Sequence, residues 1–323
     1  MGQVNQGRRS WLGAATGLSL AGLAGCEPPQ SLVRVAGISW VGYAPLFLAR
    51  ESGYFDAANL RLLELPSNSA SLMALASGQV EAAALTLDEF LVASEGLLDL
   101  RVILIFDESA GADVVLGRPN IRQLSDLRGK RVAVENSATG ALMLARALES
   151  AGLRPDDIFK VSVAGPMQVS AYVQGEADAV VCFEPYATQL SRLGAVRLID
   201  SSSFPGLIVD VLAARPSALD AAPTQFRQLL AGYFRALTTL QNSPLQTVAQ
   251  MAGPMGLDAQ ELILALKGVR MTPLQINHQL LGGDAQGFRA MTQSVAGVMQ
   301  RTGLLKQAPV LKRLADARFL PSV

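Results

Sequence analysis

Asp113-Val114-Val115-Leu116-Gly117-Arg118-Pro119 returns 97 positions later as Asp210-Val211-Leu212-Ala213-Ala214-Arg215-Pro216. The same offset matches Arg34-Val35-Ala36 to Arg131-Val132-Ala133. It also matches Gly78-Gln79-Val80-Glu81-Ala82-Ala83-Ala84 to Gly175-Glu176-Ala177-Asp178-Ala179-Val180-Val181. One register therefore holds at the start, middle and end of two consecutive segments, although identity between them is low. Such a chain is expected to form two similar α/β lobes facing each other, with a ligand-sized cleft between them.

Working outward from these anchors, residues 32–38 read as a strand closing at Ser39-Trp40-Val41-Gly42-Tyr43. A helix is predicted over 45–51, with Pro45 in its first turn and Gly53 ending it. A strand over 60–65 follows, then a helix over 70–77 capped by Ser67-Asn68-Ser69 and ended by Gly78. A strand over 80–85 ends at Thr86-Leu87-Asp88, and a further helix and a strand over 101–106 complete the unit. The second lobe repeats this order: strand 131–135, the loop Asn136-Ser137-Ala138-Thr139-Gly140, helix 141–150, strand 158–163, helix 167–174, and strand 179–183 running into Glu184-Pro185. The alternation predicts two mostly parallel sheets, each with helices on both faces.

From Thr224 onward the pattern predicts helices alone. Phe226, Leu229, Leu230, Tyr233, Phe234 and Leu237 make an apolar face at helical spacing, a core stripe packed on the first lobe. Lobe 1 is then residues 32–112 with 213–323, and lobe 2 is 113–212, with crossings near 113–118 and 207–213.

Residues 1–26 read as an export signal. Arg8 and Arg9 precede an uncharged stretch that ends in Leu23-Ala24-Gly25-Cys26, a lipobox-like sequence in which Cys26 is the expected site of lipidation. Arg8-Arg9-Ser10-Trp11-Leu12 also resembles a twin-arginine signal. The stretch is shorter than the ~20 apolar residues needed to span a bilayer, and residues 27–31 read as a tether. Loss of residues 1–25 removes two arginines from 27 basic against 27 acidic residues, which leaves a net charge of −2. No basic stripe or aromatic ladder marks a nucleic-acid surface. Beyond Cys26 only Cys182 is present, so no internal disulfide forms and the thiol reads as a small buried hydrophobe.

Ligands of α/β sheets sit beyond the carboxyl ends of strands, where helix starts offer free N–H groups suited to anions. Ser69, Ser137 and Thr139 add hydroxyls at such starts, while the aromatic residues Trp40, Tyr43 and Phe183 stand at strand ends. Asp113 and Asp210 interrupt apolar segments. Each either holds a ligand donor or pairs with a neighbouring arginine or amide. Glu184 has the same two readings. Asp88-Glu89 and Asp156-Asp157 read as solvated acids of a helix first turn. Catalytic signals are sparse: His278 is the only histidine, no lysine follows Gly140 as a phosphate loop requires, and no Gly-x-Ser-x-Gly elbow or His/Cys metal cluster occurs.

Certain strings carry a family likeness. They are Gly42-Tyr43-Ala44-Pro45-Leu46, Glu51-Ser52-Gly53-Tyr54-Phe55, Ala74-Leu75-Ala76-Ser77-Gly78-Gln79-Val80-Glu81, Leu124-Ser125-Asp126-Leu127-Arg128-Gly129-Lys130-Arg131-Val132-Ala133-Val134 and Phe183-Glu184-Pro185. Through them the chain resembles solute-binding proteins of the nitrate, sulfonate and taurine type that feed ABC importers, a group with relatives that bind thiamine pyrimidine precursors. The resemblance implies a two-lobed, type II periplasmic binding protein-like α/β fold with a helical C-terminal tail. It implies ligand contacts at Trp40, Tyr43, Ser69, Thr86, Ser137, Thr139, Phe183, Glu184 and Asp210, with Asp210 facing a ligand amine as in taurine-type relatives. It further implies a monomer without cofactor, lipid-anchored on the periplasmic side of a bacterial membrane and working with a permease and an ATPase. A sensory lipoprotein remains an alternative. So does a pyrimidine-forming enzyme of the same fold, although the histidine and the cysteine-rich motif of such enzymes have no counterpart here. In the 97-residue register, Trp40 pairs with Ser137, Thr86 with Phe183 and Asp113 with Asp210 across one cleft.

Overall fold

The computed structural model describes residues 31–322, so the readings placed on residues 1–30, lipidation of Cys26 among them, lie outside the described residues. The first segment runs β1 (Val33–Gly37), α1 (Ala44–Glu51), β2 (Leu60–Glu64), α2 (Asn68–Ala76), β3 (Ala82–Thr86), α3 (Leu87–Glu95) and β4 (Arg101–Ser109). The second runs β5 (Asp113–Gly117), β6 (Arg131–Val134), α4 (Ala138–Ser150), β7 (Phe159–Ser162), α5 (Gly165–Val173), β8 (Ala179–Phe183), α6 (Tyr186–Arg192) and β9 (Val196–Asp200). The chain then returns through β10 (Val209–Ala214) to α7 (Pro216–Ala221), α8 (Pro223–Asn242), α9 (Pro244–Met251), α10 (Ala259–Leu266), β11 (Val269–Met271), α11 (Leu274–Leu281) and α12 (Gln286–Arg301).

Two sheets result, in the orders β11-β4-β10-β3-β1-β2 and β7-β6-β8-β5-β9. Both are mixed. β1 pairs in parallel with β2 and β3, and β6 with β7 and β8. The reversed strands β10 and β5 make the remaining pairings of their sheets antiparallel, apart from the antiparallel β11–β4 edge. The expectation of mostly parallel sheets therefore holds for strand direction but not for pairing. A strand that arrives from the other lobe enters head-on, and in each sheet it does so between two strands rather than at an edge.

The 97-residue register extends from letters to bonds. Arg34 clamps Glu81 through its own amide (2.8 Å), Nε (3.0 Å) and Nη2 (2.7 Å). Arg131 clamps Asp178 through the same three groups at 2.9, 3.0 and 2.7 Å. Arg215 donates to the Val80 carbonyl, and Arg118 to that of Ala177, the matching position. These clamps tie the start of the first parallel strand of each lobe to the residues that lead into β3 or β8, the same corner in both.

The core is layered on the sheets. Tyr43, Phe106, Phe226 and Tyr233 pack with α1 and α8 on one face of the first sheet, each fully buried or nearly so, a burial that stabilises by roughly 1.5–3 kcal/mol per side chain. The aromatic stripe of α8 is core, as its spacing predicts. The opposite face carries Ala83, Leu85 and Val211 against Phe90 of α3 and Phe288 of α12, and this layer continues into Val132, Val134 and Leu142 of the second lobe. Cys182 is buried with Val114, Val180 and Leu190 on the far face of the second sheet.

The C-terminal tail departs from the prediction of helices alone. β11 adds a three-residue antiparallel strand to the β4 edge, and Ala315 bridges to Val102. A strand of three residues is too short to show a period of two, so only the available sheet edge discloses it. The chain passes between the sheets at residues 110–112 and 201–208. There the Ser201 hydroxyl meets Ser109 Oγ at 2.8 Å and accepts from the Gly111 amide at 2.7 Å, bonding the two crossings to each other.

Candidate functional site

The carboxyl ends of β1, β3, β6 and β8 converge where the lobes meet. Sheet pairing sets the rows: Asp210 on β10 lies opposite Thr86 on β3 and Asp107 on β4. In the second lobe Asp113 on β5 lies opposite Phe183 on β8. Thr86 with Asp210 and Phe183 with Asp113 are thus the same cross-strand pair in the two halves of the repeat.

Two adjoining cavities lie between these rows, each of about 20 Å³, room for about one water. Asn68, Asp113, Thr139 and Phe183 line both. Ile38, Trp40, Thr86, Ile208 and Asp210 complete one, while Glu135, Ser137, Gly140, Met143, Val181 and Cys182 complete the other. No lysine, arginine or histidine lines either cavity. A larger hollow of about 410 Å³ lies on the first lobe beside Phe47, Arg50, Met251 and Met255, but its charged residues are exposed and Arg50 is paired with Glu51. The cleft is where buried, chemically committed groups gather.

The six residues paired by the 97-residue register, Trp40, Ser137, Thr86, Phe183, Asp113 and Asp210, all line this space, as does Thr139. The lobes touch through them: Thr86 Oγ1 and Thr139 Oγ1 are 2.7 Å apart, and the Trp40 and Phe183 rings meet edge to face at 5.9 Å. Three other residues named from the sequence stand outside the cavity walls. The Tyr43 hydroxyl lies beneath Asp210 and donates to its Oδ1 at 2.6 Å. Ser69 donates to the Asn136 carbonyl at 2.8 Å, a bond between lobes at the rim. Glu184 is buried and accepts from the Thr188 amide at 3.0 Å. The Ser137 hydroxyl is occupied as a helix cap, accepting from the Gly140 amide at 3.1 Å.

Sequence reasoning passed over Asp107 and Glu135 and read Asp88-Glu89 as solvated. Asp88, Glu89, Asp107, Asp113, Glu135, Glu184 and Asp210 are all buried at this junction. Asp88-Glu89 is not a solvated pair, because the start of α4 closes over it from the other lobe and Ala138 N donates to Glu89 Oε1 at 2.7 Å. Glu135 accepts from Asn68 N at 3.4 Å and from Gly165 N at 3.3 Å. Asp107 accepts from Trp40 Nε1 at 3.4 Å. Asp113 has no arginine partner among the described residues; Ser109 is its neighbour, with the Asp113 amide donating to Ser109 Oγ at 3.1 Å. Both oxygens of Asp88, Asp107 Oδ1 and Asn68 Oδ1 are buried without a partner in hydrogen-bonding geometry among the described residues. The hydroxyls of Thr86 and Thr139 lie near enough to favour the Asp88 carboxylate without offsetting its burial.

Burial controls the protonation of this cluster. Loss of solvent, reinforced by the charge of Asp88, pushes Glu89 up to about 8. Loss of solvent pushes Asp113 up to about 7 against the Ser109 hydrogen bond, with the charges of Asp88 and Glu184 adding to the rise. Burial also raises Asp88, Glu135 and Glu184. Asp107 and Asp210, directly opposed across β4 and β10, are both raised by burial, and each one's charge bears on the other's titration. Burial and the charge of Asp210 raise the Tyr43 hydroxyl, which stays protonated as the donor beneath the pair.

The cluster is therefore a dry, acceptor-rich surface flanked by two aromatic rings. It offers carboxyl and amide oxygens to N–H groups and aromatic faces to cations. Among the described residues no group of histidine, cysteine or acidic side chains is arranged to hold a metal ion, and no helix is long and apolar enough to cross a membrane.

Comparison with known proteins places this architecture. The chain is 26% identical over 208 residues to a putative aliphatic sulfonates-binding protein of Escherichia coli K12, covering 64% of this chain and 65% of that protein. It is 28% identical over 161 residues to the taurine-binding periplasmic protein of the same organism, covering 50% and 49%. The chain thus spans about half to two thirds of the length of these curated relatives. The solved alkanesulfonate-binding protein SsuA from Xanthomonas axonopodis pv. citri, bound to MOPS, superposes with a TM-score of 0.72 at 19% identity, covering 88% of this chain and 96% of that one. The fold is that of the periplasmic binding proteins. The NMT1/THI5-like family matches residues 40–265, and the chain belongs to that family.

Proposed function

We propose that this protein is the extracytoplasmic solute-binding component of an ABC importer, and that it closes its two lobes over a small solute that brings hydrogen-bond donors or positive charge, such as an amine or an amino-substituted heteroaromatic ring. One observation carries the reading: the interlobe cavities are lined by acceptors and acids, with no basic side chain among their lining residues. The ligand-contact set is Trp40, Thr86, Thr139, Phe183 and Asp210, joined by Asn68 and Asp113. Ser137 and Glu135 form the second wall, and Tyr43, Ser69 and Glu184 hold this set in place.

A ligand that joins the two cavities parts Thr86 from Thr139 and lies between Trp40 and Phe183, where a cationic or donor-bearing ring gains from both faces. Contacts made to both lobes exist only when they are closed, so ligand binding shifts the equilibrium toward closure by that difference in affinity. The closed form is then the one recognised by a permease with its ATPase. Lipidation at Cys26 anchors the protein, as a monomer, on the periplasmic side of the membrane.

Thermal melting with amines, aminopyrimidines, taurine, methanesulfonate and nitrate tests the reading, because a ligand of the native state raises its stability by mass action. The expected result is a saturable rise with a donor-bearing member and none with methanesulfonate or nitrate. A rise with those anions alone overturns it.

A further inference from the structure

α2 and α5 are equivalent helices of the two lobes: their first residues, Asn68 and Gly165, are separated by the 97-residue offset. One side chain serves both. Glu135 places Oε1 on Asn68 N at 3.4 Å and Oε2 on Gly165 N at 3.3 Å, so a single carboxylate spans the two equivalent helix starts. Another start at the cleft, that of α4, is met by Glu89, whose Oε1 accepts from Ala138 N at 2.7 Å. Glu89 belongs to the first lobe and reaches the second, while Glu135 belongs to the second and reaches the first. Both are buried, with 2% and 4% of their surface exposed.

Helix starts attract anions because their amides are unpaired and the aligned peptide dipoles are positive there. In this cleft the oxygens that meet those amides are supplied by the chain. We infer that Glu89 and Glu135 are built-in acceptors that set specificity: they latch lobe to lobe and, by filling the starts of α2, α4 and α5 with their own carboxyl oxygens, deny those starts to anionic solutes. The unpartnered oxygens of Asp88 and Asn68 beside them turn the remaining polar surface further against an anion. This inference rests on the reading of the cleft as the solute site, and it identifies the residues that separate donor-bearing from anionic ligands.

The test uses the full chain with Glu89→Ala, Glu89→Gln and Glu135→Ala, melted in chloride, acetate or methanesulfonate at matched ionic strength, with solution scattering as a measure of lobe separation. Glu89→Ala is expected to melt lower and to scatter as a more open particle. It is also expected to gain roughly tenfold or more in acetate or methanesulfonate affinity over wild type, the effect of one charge-assisted hydrogen bond. Glu135→Ala gives the same gain through the other two starts and stands as the test if Glu89→Ala does not fold. Glu89→Gln, which keeps an acceptor for Ala138 N, stays closed and indifferent to the anions. Alanine variants without an anion response, or a wild type that responds equally, overturn the inference. Alanine variants that take up anions, alongside a wild type that ignores amines, leave the latch standing and remove the proposed ligand class.

Discussion

The two lobes agree at one end of their strands and disagree at the other. At the amino ends, Arg34–Glu81 and Arg131–Asp178 reproduce the same three hydrogen bonds to within 0.1 Å. At the carboxyl ends, equivalent positions hold Trp40 and Ser137, Gly42 and Thr139, Thr86 and Phe183. A corner that only has to hold a strand in place can be copied unchanged. A surface that has to grip one solute between two copies gains by divergence, because two identical walls would offer the same group twice. The scaffold is a repeat; the chemistry is its asymmetry.

The largest way to break this comparison is pH, because the raised acids all lie at the divergent ends. Glu89 and Asp113 keep their protons in the folded state at a pH where the unfolded chain has lost them. Their contribution is therefore fully present below the unfolded values, near 4, and is lost as pH rises through about 8 for Glu89 and about 7 for Asp113. Stability should fall between pH 5 and 8 by about 1.4 kcal/mol per unit for each retained proton, and Glu89→Gln should flatten that slope by about one proton. The acids of the repeated corner act the other way: arginine partners outweigh burial to lower Glu81, and the hydrogen bond from Arg131 lowers Asp178, so their contribution is present throughout this window and is lost only as pH falls below it. Unfolding in denaturant across this range measures the slope, and a rise in stability toward pH 8 would remove the protonated cluster.

A smaller break is Gly42→Ala. A methyl there would stand 2.2 Å from both Asp107 Oδ2 and Trp40 Nε1, so the Trp40–Asp107 bond must yield; overpacking of this kind costs about 1–3 kcal/mol in denaturant unfolding. Thr139 occupies the equivalent point of the second lobe. Thr139→Val removes the bond to Thr86 and is expected to cost about 1 kcal/mol while loosening closure in solution scattering. The smallest effect sharpens the comparison: Arg34→Ala and Arg131→Ala should each cost less than about 1 kcal/mol, and the two values should match. Unequal losses would mean that the corners are alike in geometry but not in energy.

Much of this was legible in the residues. The repeated Asp-containing segments pointed to two lobes, though they were read as the crossings themselves and the structure makes them strands inside the sheets; strand-end reasoning brought Trp40, Thr86, Thr139, Phe183 and Asp210 to one place. The acids were harder to read for a physical reason. Asp88-Glu89 looks like a solvated first turn until another lobe covers it, and a covering lobe leaves no local pattern. Asp107 gave a usable signal, a charge at the end of an apolar strand, as did Glu135 after Arg131–Val134. Asn68 reads as part of an ordinary cap, and only the opposing Glu135 gives its amide a second role. β11 is set by the free edge of β4 rather than by its three residues.

The central claim is that the cleft of this NMT1/THI5-like protein recognises donors and turns away anions. The most direct measurement is a saturable thermal shift of the wild-type chain at pH 7, with amines and aminopyrimidines set against methanesulfonate and nitrate. The account predicts a concentration-dependent rise with a donor-bearing ligand and none with either anion. A saturable rise with methanesulfonate or nitrate would contradict it.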